Sequence, residues 1–137
     1  MNMLFLHIMN YIDLFAGAGG LSEGFTKAGF SPIAHVESDK AACFTLMTRH
    51  AYYYLSSNNQ LDIYNSYLKG YISRDCLYNF LPKSISRSVI NKYISSDNNT
   101  DIFTIIDELL GENEVDLIIG GPPCQAYSNI GRAALKH

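Results

Sequence analysis

The apolar segment Tyr11-Ile12-Asp13-Leu14-Phe15 runs directly into Gly17-Ala18-Gly19-Gly20, and helical character follows from Leu21 to Ala28, with Gly29 as its stop. A short buried strand that ends in a glycine turn and continues as a helix must return to lay a parallel neighbour beside the first strand. Pro32-Ile33-Ala34-His35-Val36 reads as that neighbour. Ser38 to about Tyr54 reads as a second helix, with Ala42, Leu46 and Ala51 among its apolar positions. Residues 56–99 carry polar breaks at Ser56-Ser57-Asn58-Asn59 and Ser95-Ser96-Asp97-Asn98-Asn99, with short tyrosine-rich helical pieces between them. This stretch reads as an insertion. Asp101 to Leu110 is helical, with Ile102, Ile105, Ile106 and Leu109 on one face and Gly111 as the stop. Val115-Asp116-Leu117-Ile118-Ile119 is the third clear strand, and it enters Gly120-Gly121-Pro122-Pro123-Cys124. The order predicts an α/β fold with a parallel sheet.

At 137 residues the chain suits one domain with one core. Hydrophobic residues make up 47% and charged residues 17%, which excludes a disordered chain. No apolar run approaches the ~20 residues that span a membrane, and the start lacks a basic region before its apolar residues. The expectation is a cytoplasmic protein without a membrane partner. The formal net charge is −3, and the ten basic residues are scattered. Phosphate neutralisation supplies much of the affinity for DNA, so a DNA-binding role needs most of its grip outside this chain. Three widely spaced cysteines, Cys43, Cys76 and Cys124, give neither a disulfide framework nor a metal signature. Cys43, in a helical stretch, reads as a small buried apolar residue, and Cys76 has no chemical neighbours.

A glycine turn between strand and helix lets backbone approach a ligand. Dinucleotide folds need Gly-x-Gly-x-x-Gly there. Gly17 and Gly19 fit, but Ser22 stands at the third position, which argues against a nicotinamide-dinucleotide domain. Glu37 follows the second strand, about 20 residues beyond Gly17, where a carboxylate accepts both ribose hydroxyls of an adenosine-type cofactor.

Cys124 lies at the carboxyl end of a buried strand, where open α/β sheets place their ligands. Two prolines fix the backbone before it, which suits a nucleophile that must meet one atom of a bound base. A helix beginning after this loop would favour the thiolate through its N-terminal dipole.

Asp13-Leu14-Phe15-Ala16-Gly17-Ala18-Gly19-Gly20 resembles the cofactor motif of the C5-cytosine DNA methyltransferases, and Gly120-Gly121-Pro122-Pro123-Cys124-Gln125-Ala126-Tyr127-Ser128 resembles their nucleophile motif. The two stand in the family's order with Glu37 between them. The likeness is sharp over residues 11–49 and 101–132. It implies a Rossmann-like fold that binds S-adenosylmethionine, here the N-terminal half of a catalytic domain. It implies Phe15 against the adenine and Ala16, Gly17, Gly19, Gly20 and Leu21 around the rest of the cofactor. Glu37 would hold the ribose, beside Ser38 and Pro122. Asp101-Ile102 matches the family's adenine-binding Asp-Ile pair, and Asp62-Ile63 is a competing match. Cys124 would be the nucleophile; Pro123 and Gln125 would shape the pocket for a flipped-out cytosine of double-stranded DNA, with Ser128 near the DNA backbone. No metal is implied. Restriction-modification is the family-level expectation of biological role.

Three departures qualify the resemblance. Ser38 stands where several members carry a large apolar side chain against the adenine. Residues 56–99 exceed compact members. The family's Glu-Asn-Val motif, arginine-rich motif, target-recognition region and C-terminal helix do not occur in the sequence, so the expectation is a fragment that needs its missing half or a second chain. The strand Val115–Ile119 would then lack its outer neighbour and favour self-association. Alternatives are a non-catalytic cofactor-binding or structural subunit of a split enzyme, and an RNA cytosine-5 methyltransferase, since enzymes acting on transfer RNA share these motifs.

Overall fold

A computed structural model describes residues 8–123. In chain order its elements are β1 (Asn10–Leu14), α1 (Gly20–Lys27), β2 (Ser31–Glu37), α2 (Lys40–Ser57), α3 (Leu61–Leu68), α4 (Arg74–Tyr78), α5 (Lys83–Ser88), β3 (Val89–Asn91), α6 (Ser96–Leu110) and β4 (Leu117–Gly120). The strands form one parallel sheet in the order β3-β2-β1-β4. The chain steps outward from β1 to β3 and then crosses back to β4 on the other side of β1. That reversal opens a crevice at the carboxyl ends of β1 and β4, the place where sheets of this kind hold ligands. The fold is the Rossmann-like α/β arrangement with a parallel sheet that the sequence predicts.

Alternation along the strands sends two different sets of side chains to the two faces. Ile12, Ala34, Val36 and Ile90 meet Ile102 and Ile106 of α6 in an apolar core. The opposite face, toward α1 and α2, is polar although buried. Tyr11, Asp13 and His35 are each at most 1% exposed. The Tyr11 hydroxyl bonds the Ser22 carbonyl (3.2 Å) and Thr26 Oγ1 (3.1 Å), and the His35 ring lies 4.8 Å from that of His50. A second cluster joins α2 to the helices after it through Ala51, Leu55, Leu77 and Leu81.

Local chemistry explains the boundaries. Asp39 caps α2 by accepting from the Ala42 amide at 2.7 Å. The β1–β2 register skips one residue between Tyr11↔Pro32 and Ile12↔Ala34, beside a proline that has no amide hydrogen to give the ladder. Asn10 fastens β1 to the start of β4: its amide donates to Asp116 Oδ2 (2.7 Å) and its side chain to the Glu114 carbonyl (3.1 Å).

The structure departs from the sequence reading in two places. Residues 56–99 contain more than an insertion, because Val89–Asn91 pairs with β2 and extends the sheet. The polar run after Ser95 is not a break; it is the first turn of α6, which starts at Ser96 and not at Asp101. No helix among the described residues is long and apolar enough to cross a membrane.

Candidate functional site

The glycine turn is built around Glu37. Its Oε2 accepts from the Gly17 amide (2.7 Å), and its Oε1 accepts from the Asp39 amide (2.7 Å) and Ser38 Oγ (3.3 Å). One carboxylate therefore ties the β1–α1 turn to the β2–α2 loop. A carboxylate has about four lone-pair sites, so with three taken one remains for a hydroxyl of a ligand. Asn91 holds the same corner from the β3 side, donating to the carbonyls of Glu37 (3.0 Å) and Ser38 (2.9 Å).

Phe15, the residue that turns the chain out of β1, sits at φ 59°, a left-handed conformation that a bulky side chain adopts at a cost. Its neighbours hold it there: the Ala16 amide donates to the Val36 carbonyl (3.1 Å) and the Gly19 amide to the Ala16 carbonyl (3.0 Å). Gly19 has φ 81°, and a Cβ on it would meet Leu46 Cδ2 at 2.5 Å. A Cβ on Gly120, at the end of β4, would run into the Leu14 carbonyl oxygen. Both glycines are needed for the backbone to close up around the crevice.

A cavity of about 250 Å³ opens at this end of the sheet, lined by Phe15, Val36, Glu37, Ser38, Lys92, Tyr93, Ile94, Gly121 and Pro123. Four strand ends thus contribute to one space. It offers two aromatic rings, apolar walls, the acceptor carboxylate of Glu37 and the ammonium of Lys92. Of the residues singled out from sequence, Phe15, Glu37, Ser38 and Pro123 face this cavity. Ala16, Gly17, Gly19 and Gly20 form the adjoining turn and the first residue of α1, and Leu21 is half exposed on α1. Pro122 is exposed in the loop after β4. Cys124, Gln125 and Ser128 lie outside the described residues.

Asp101 and Ile102 are not brought to the cavity. Ile102 is buried in the α6 core, and Asp101 is exposed and pairs with Lys92 at 2.9 Å. Asp62-Ile63 is no better placed, since both lie on α3 and Ile63 packs against the Ala51–Leu55 cluster. The loop after β3 instead presents Lys92, Tyr93 and Ile94, which sequence reasoning passed over. The β-branched pair Val89-Ile90 was the available signal for that strand.

Beneath the turn, Ser22 Oγ donates to Asp13 Oδ2, while Asp13 Oδ1 has no partner among the described residues. Burial raises the Asp13 carboxyl above its ordinary range, the Ser22 bond opposes this, and the nearby charge of Glu37 adds to it. Burial lowers His35 to about 3, with the neighbouring His50 contributing, and burial lowers His50 to about 4, with the Arg49 charge contributing. Cys43 is buried on α2 with its thiol against the Glu37 carbonyl (3.4 Å), and desolvation pushes that thiol up. It is a packing residue, as is fitting for its place in the helix.

Sequence comparison places relatives beside this geometry. The family described as C-5 cytosine-specific DNA methylase matches residues 9–82 and 83–137. Type II methyltransferase M.Bpa9945I of Bacillus paralicheniformis is 40% identical over 148 residues, covering 93% of this chain and 33% of that protein. Type II methyltransferase M.XorII of Xanthomonas oryzae pv. oryzae is 34% identical, covering 90% and 21%. Type II methyltransferase M.AquIA of Picosynechococcus sp. is 32% identical, covering 88% and 34%. The chain thus spans a third or less of the first and second of these relatives and about a third of the last. No solved structure matches it significantly.

Proposed function

Because the chain belongs to the C-5 cytosine-specific DNA methylase family, we propose that it is the cofactor-binding and nucleophile-bearing part of a type II DNA (cytosine-5)-methyltransferase. The observation that carries this reading is the cavity at the carboxyl ends of the strands, where Phe15, Glu37 and Ser38 share one space with Pro123, the residue directly before Cys124 in the chain. S-adenosylmethionine fits the residues present. Phe15 and Ile94 would flank its adenine, Glu37 would accept from the ribose, and the Gly17–Gly20 backbone would border its methionine part. Bound there, the cofactor would supply an electrophilic methyl group.

The protein's own contribution is nucleophilic catalysis. C5 of cytosine is a poor nucleophile. Addition of the Cys124 thiolate to C6 forms a C–S bond and places carbanion character on C5, which can then accept the methyl group. A base removes the C5 proton, the C5–C6 double bond re-forms, and the thiolate leaves. C6 is not accessible inside a stacked duplex, so the target cytosine must be flipped out, with Pro123 and Gln125 shaping its pocket and Ser128 near the DNA backbone. The rest of the cofactor and DNA sites would come from the two thirds of the relatives' length that this chain does not match. In that arrangement the chain alone is inactive.

Isothermal calorimetry with S-adenosylmethionine tests the cofactor half, on this chain and on Glu37→Ala. Binding that Glu37→Ala abolishes is the expected result. Equal binding by both proteins would overturn the assignment of Glu37. Absence of binding that persists with the downstream segment restored would overturn the reading as a whole. In the longer protein, Cys124→Ser should fail to form the covalent complex with 5-fluorocytosine DNA that the parent forms.

A further inference from the structure

A second hollow on the described surface lies apart from the cofactor cavity. It measures about 460 Å³, within the ordinary size range of small-molecule sites. Its walls come from the middle of α2, the first turn of α1, and α3 and α4. Arg49 connects it to the glycine turn, donating to the Ala18 carbonyl at 3.4 Å.

The chemistry of the walls is specific. Tyr52, Tyr64 and Tyr67 form an aromatic ladder, with ring centroids 5.3 Å and 6.2 Å apart. The Arg74 guanidinium stacks 3.5 Å from the Phe44 ring centre. Two guanidiniums and one carboxylate line it: Glu23 takes Arg49 (2.8 Å), Tyr53 (2.6 Å) and Lys27 (3.1 Å), while Arg74 lies 3.9 Å from Asp75, which is not among the lining residues. The hollow therefore carries an excess of positive charge within a chain of net charge −3. The buried Nε atoms of Arg49 and Arg74 have no hydrogen-bond partner among the described residues. Aromatic faces beside two guanidiniums that are not fully engaged suit a planar, phosphate-bearing group.

We propose that this hollow holds an unpaired nucleotide of the DNA substrate, its base on the tyrosines and its phosphate on Arg74 and Arg49. The proposal rests on the reading of DNA as the substrate. It concerns a strand segment other than the target cytosine, whose pocket belongs to the nucleophile loop.

The test is fluorescence anisotropy with a labelled single strand of about 12 nucleotides, within the range one stacking module engages. The same sequence as a duplex and free deoxycytidine monophosphate are the comparison ligands. Tyr64→Ala should weaken single-strand binding by tenfold or more, the worth of about one stacked base, and Tyr64→Phe should retain it. Arg74→Ala should weaken binding and lower the salt slope by about 0.7, the share of one phosphate on a single strand. A merely structural defect would not change that slope. Far-ultraviolet circular dichroism and S-adenosylmethionine calorimetry on each variant keep a folding defect, or failure of the cofactor reading, separate from this result. The proposal is overturned if the parent chain does not retain the strand at low salt, or if Tyr64→Ala and Arg74→Ala bind like the parent. It is also overturned if duplex binds as well as single strand, or if the free monophosphate competes as well per mole as the oligonucleotide.

Discussion

Ser22 Oγ donates a 2.6 Å hydrogen bond to the buried carboxylate oxygen Oδ2 of Asp13, joining the first turn of α1 to the last-but-one residue of β1. This bond gives a physical reason for a serine where dinucleotide folds need their third glycine. A glycine would let helix and strand approach more closely, but it would leave both Asp13 oxygens without a donor. Ser22→Ala should destabilise the fold by about 1–3 kcal/mol, the range for a lost hydrogen bond to a charged buried group. Urea denaturation at neutral pH measures this, and no change in midpoint would refute it.

The buried face also sets a pH dependence, with two opposing signs. His35 and His50 have folded pKa values of about 3 and about 4, below the ordinary 6.5. The stability they hold is complete above pH 6.5 and is lost as pH falls toward those values. Asp13 is raised above 3.8, so its contribution is greatest below that value and diminishes as pH rises through its folded pKa. In the window from pH 7.5 to 5 the histidines dominate. His35→Leu should remove about 2 kcal/mol of the acid-induced loss across that window, at about 1.4 kcal/mol per pH unit below 6.5. Urea titrations at the two pH values give the difference; parallel losses in parent and variant would contradict it.

Gly17 and Gly19 both have positive φ but differ in surroundings. A Cβ on Gly17 meets no atom within 4 Å among the described residues, whereas one on Gly19 meets Leu46 Cδ2 at 2.5 Å. Gly17→Ala should cost only the left-handed backbone penalty, about 1–2 kcal/mol. Gly19→Ala should cost more, through displacement of Leu46, a residue 1% exposed. Thermal melts of the two variants side by side rank the effects, and the reverse order would count against the geometry.

Among the described residues β4 is an edge of the sheet, and Ile118 on it is 62% exposed. We propose that this edge draws two chains together when nothing else covers it. Light scattering should report a mass that rises with concentration for the parent chain, and Ile118→Lys should reduce the rise. A parent chain that stays monomeric at high concentration would count against it.

Glu37→Gln separates two duties of one side chain. The amide keeps one acceptor oxygen for the Gly17 N–H, gives up the one that takes the Asp39 N–H, and loses the charge that strengthens bonds to ribose hydroxyls. The fold should persist with S-adenosylmethionine affinity reduced about tenfold, the effect of roughly 1.4 kcal/mol. Calorimetry beside a thermal melt distinguishes this from a collapsed turn.

Much of this arrangement was legible because its signals are local. Glycine marks the turn after Phe15, Gly29 and Gly111 mark helix ends, and the apolar period of Ile102, Ile105, Ile106 and Leu109 marks α6. β3 was not legible. It has three residues, follows α5 without a break, and is fixed by its pairing with β2, which no short window contains. Without that strand, Asp101-Ile102 is the visible dipeptide match, although it lies on α6, and Lys92-Tyr93-Ile94, which lines the cavity, carries no local signal. The ties from Glu37 to Gly17 and from Arg49 to Glu23 span 20 and 26 residues and exist only once the sheet has formed.

The contrast between the two sheet faces carries one more consequence. Asp13 and His35 are register partners, as are Ile12 and Ala34. If β1 and β2 slid together by one residue relative to the helices, Asp13 and His35 would enter the hydrocarbon layer of Ile90, Ile102 and Ile106, where no side chain of that cluster can donate or accept. Ile12 would in turn face Ser22 and His50. Each misalignment is penalised on both faces at once. The polar face thus acts as a proofreading layer for assembly, rejecting near-miss alignments that an all-aliphatic sandwich would tolerate.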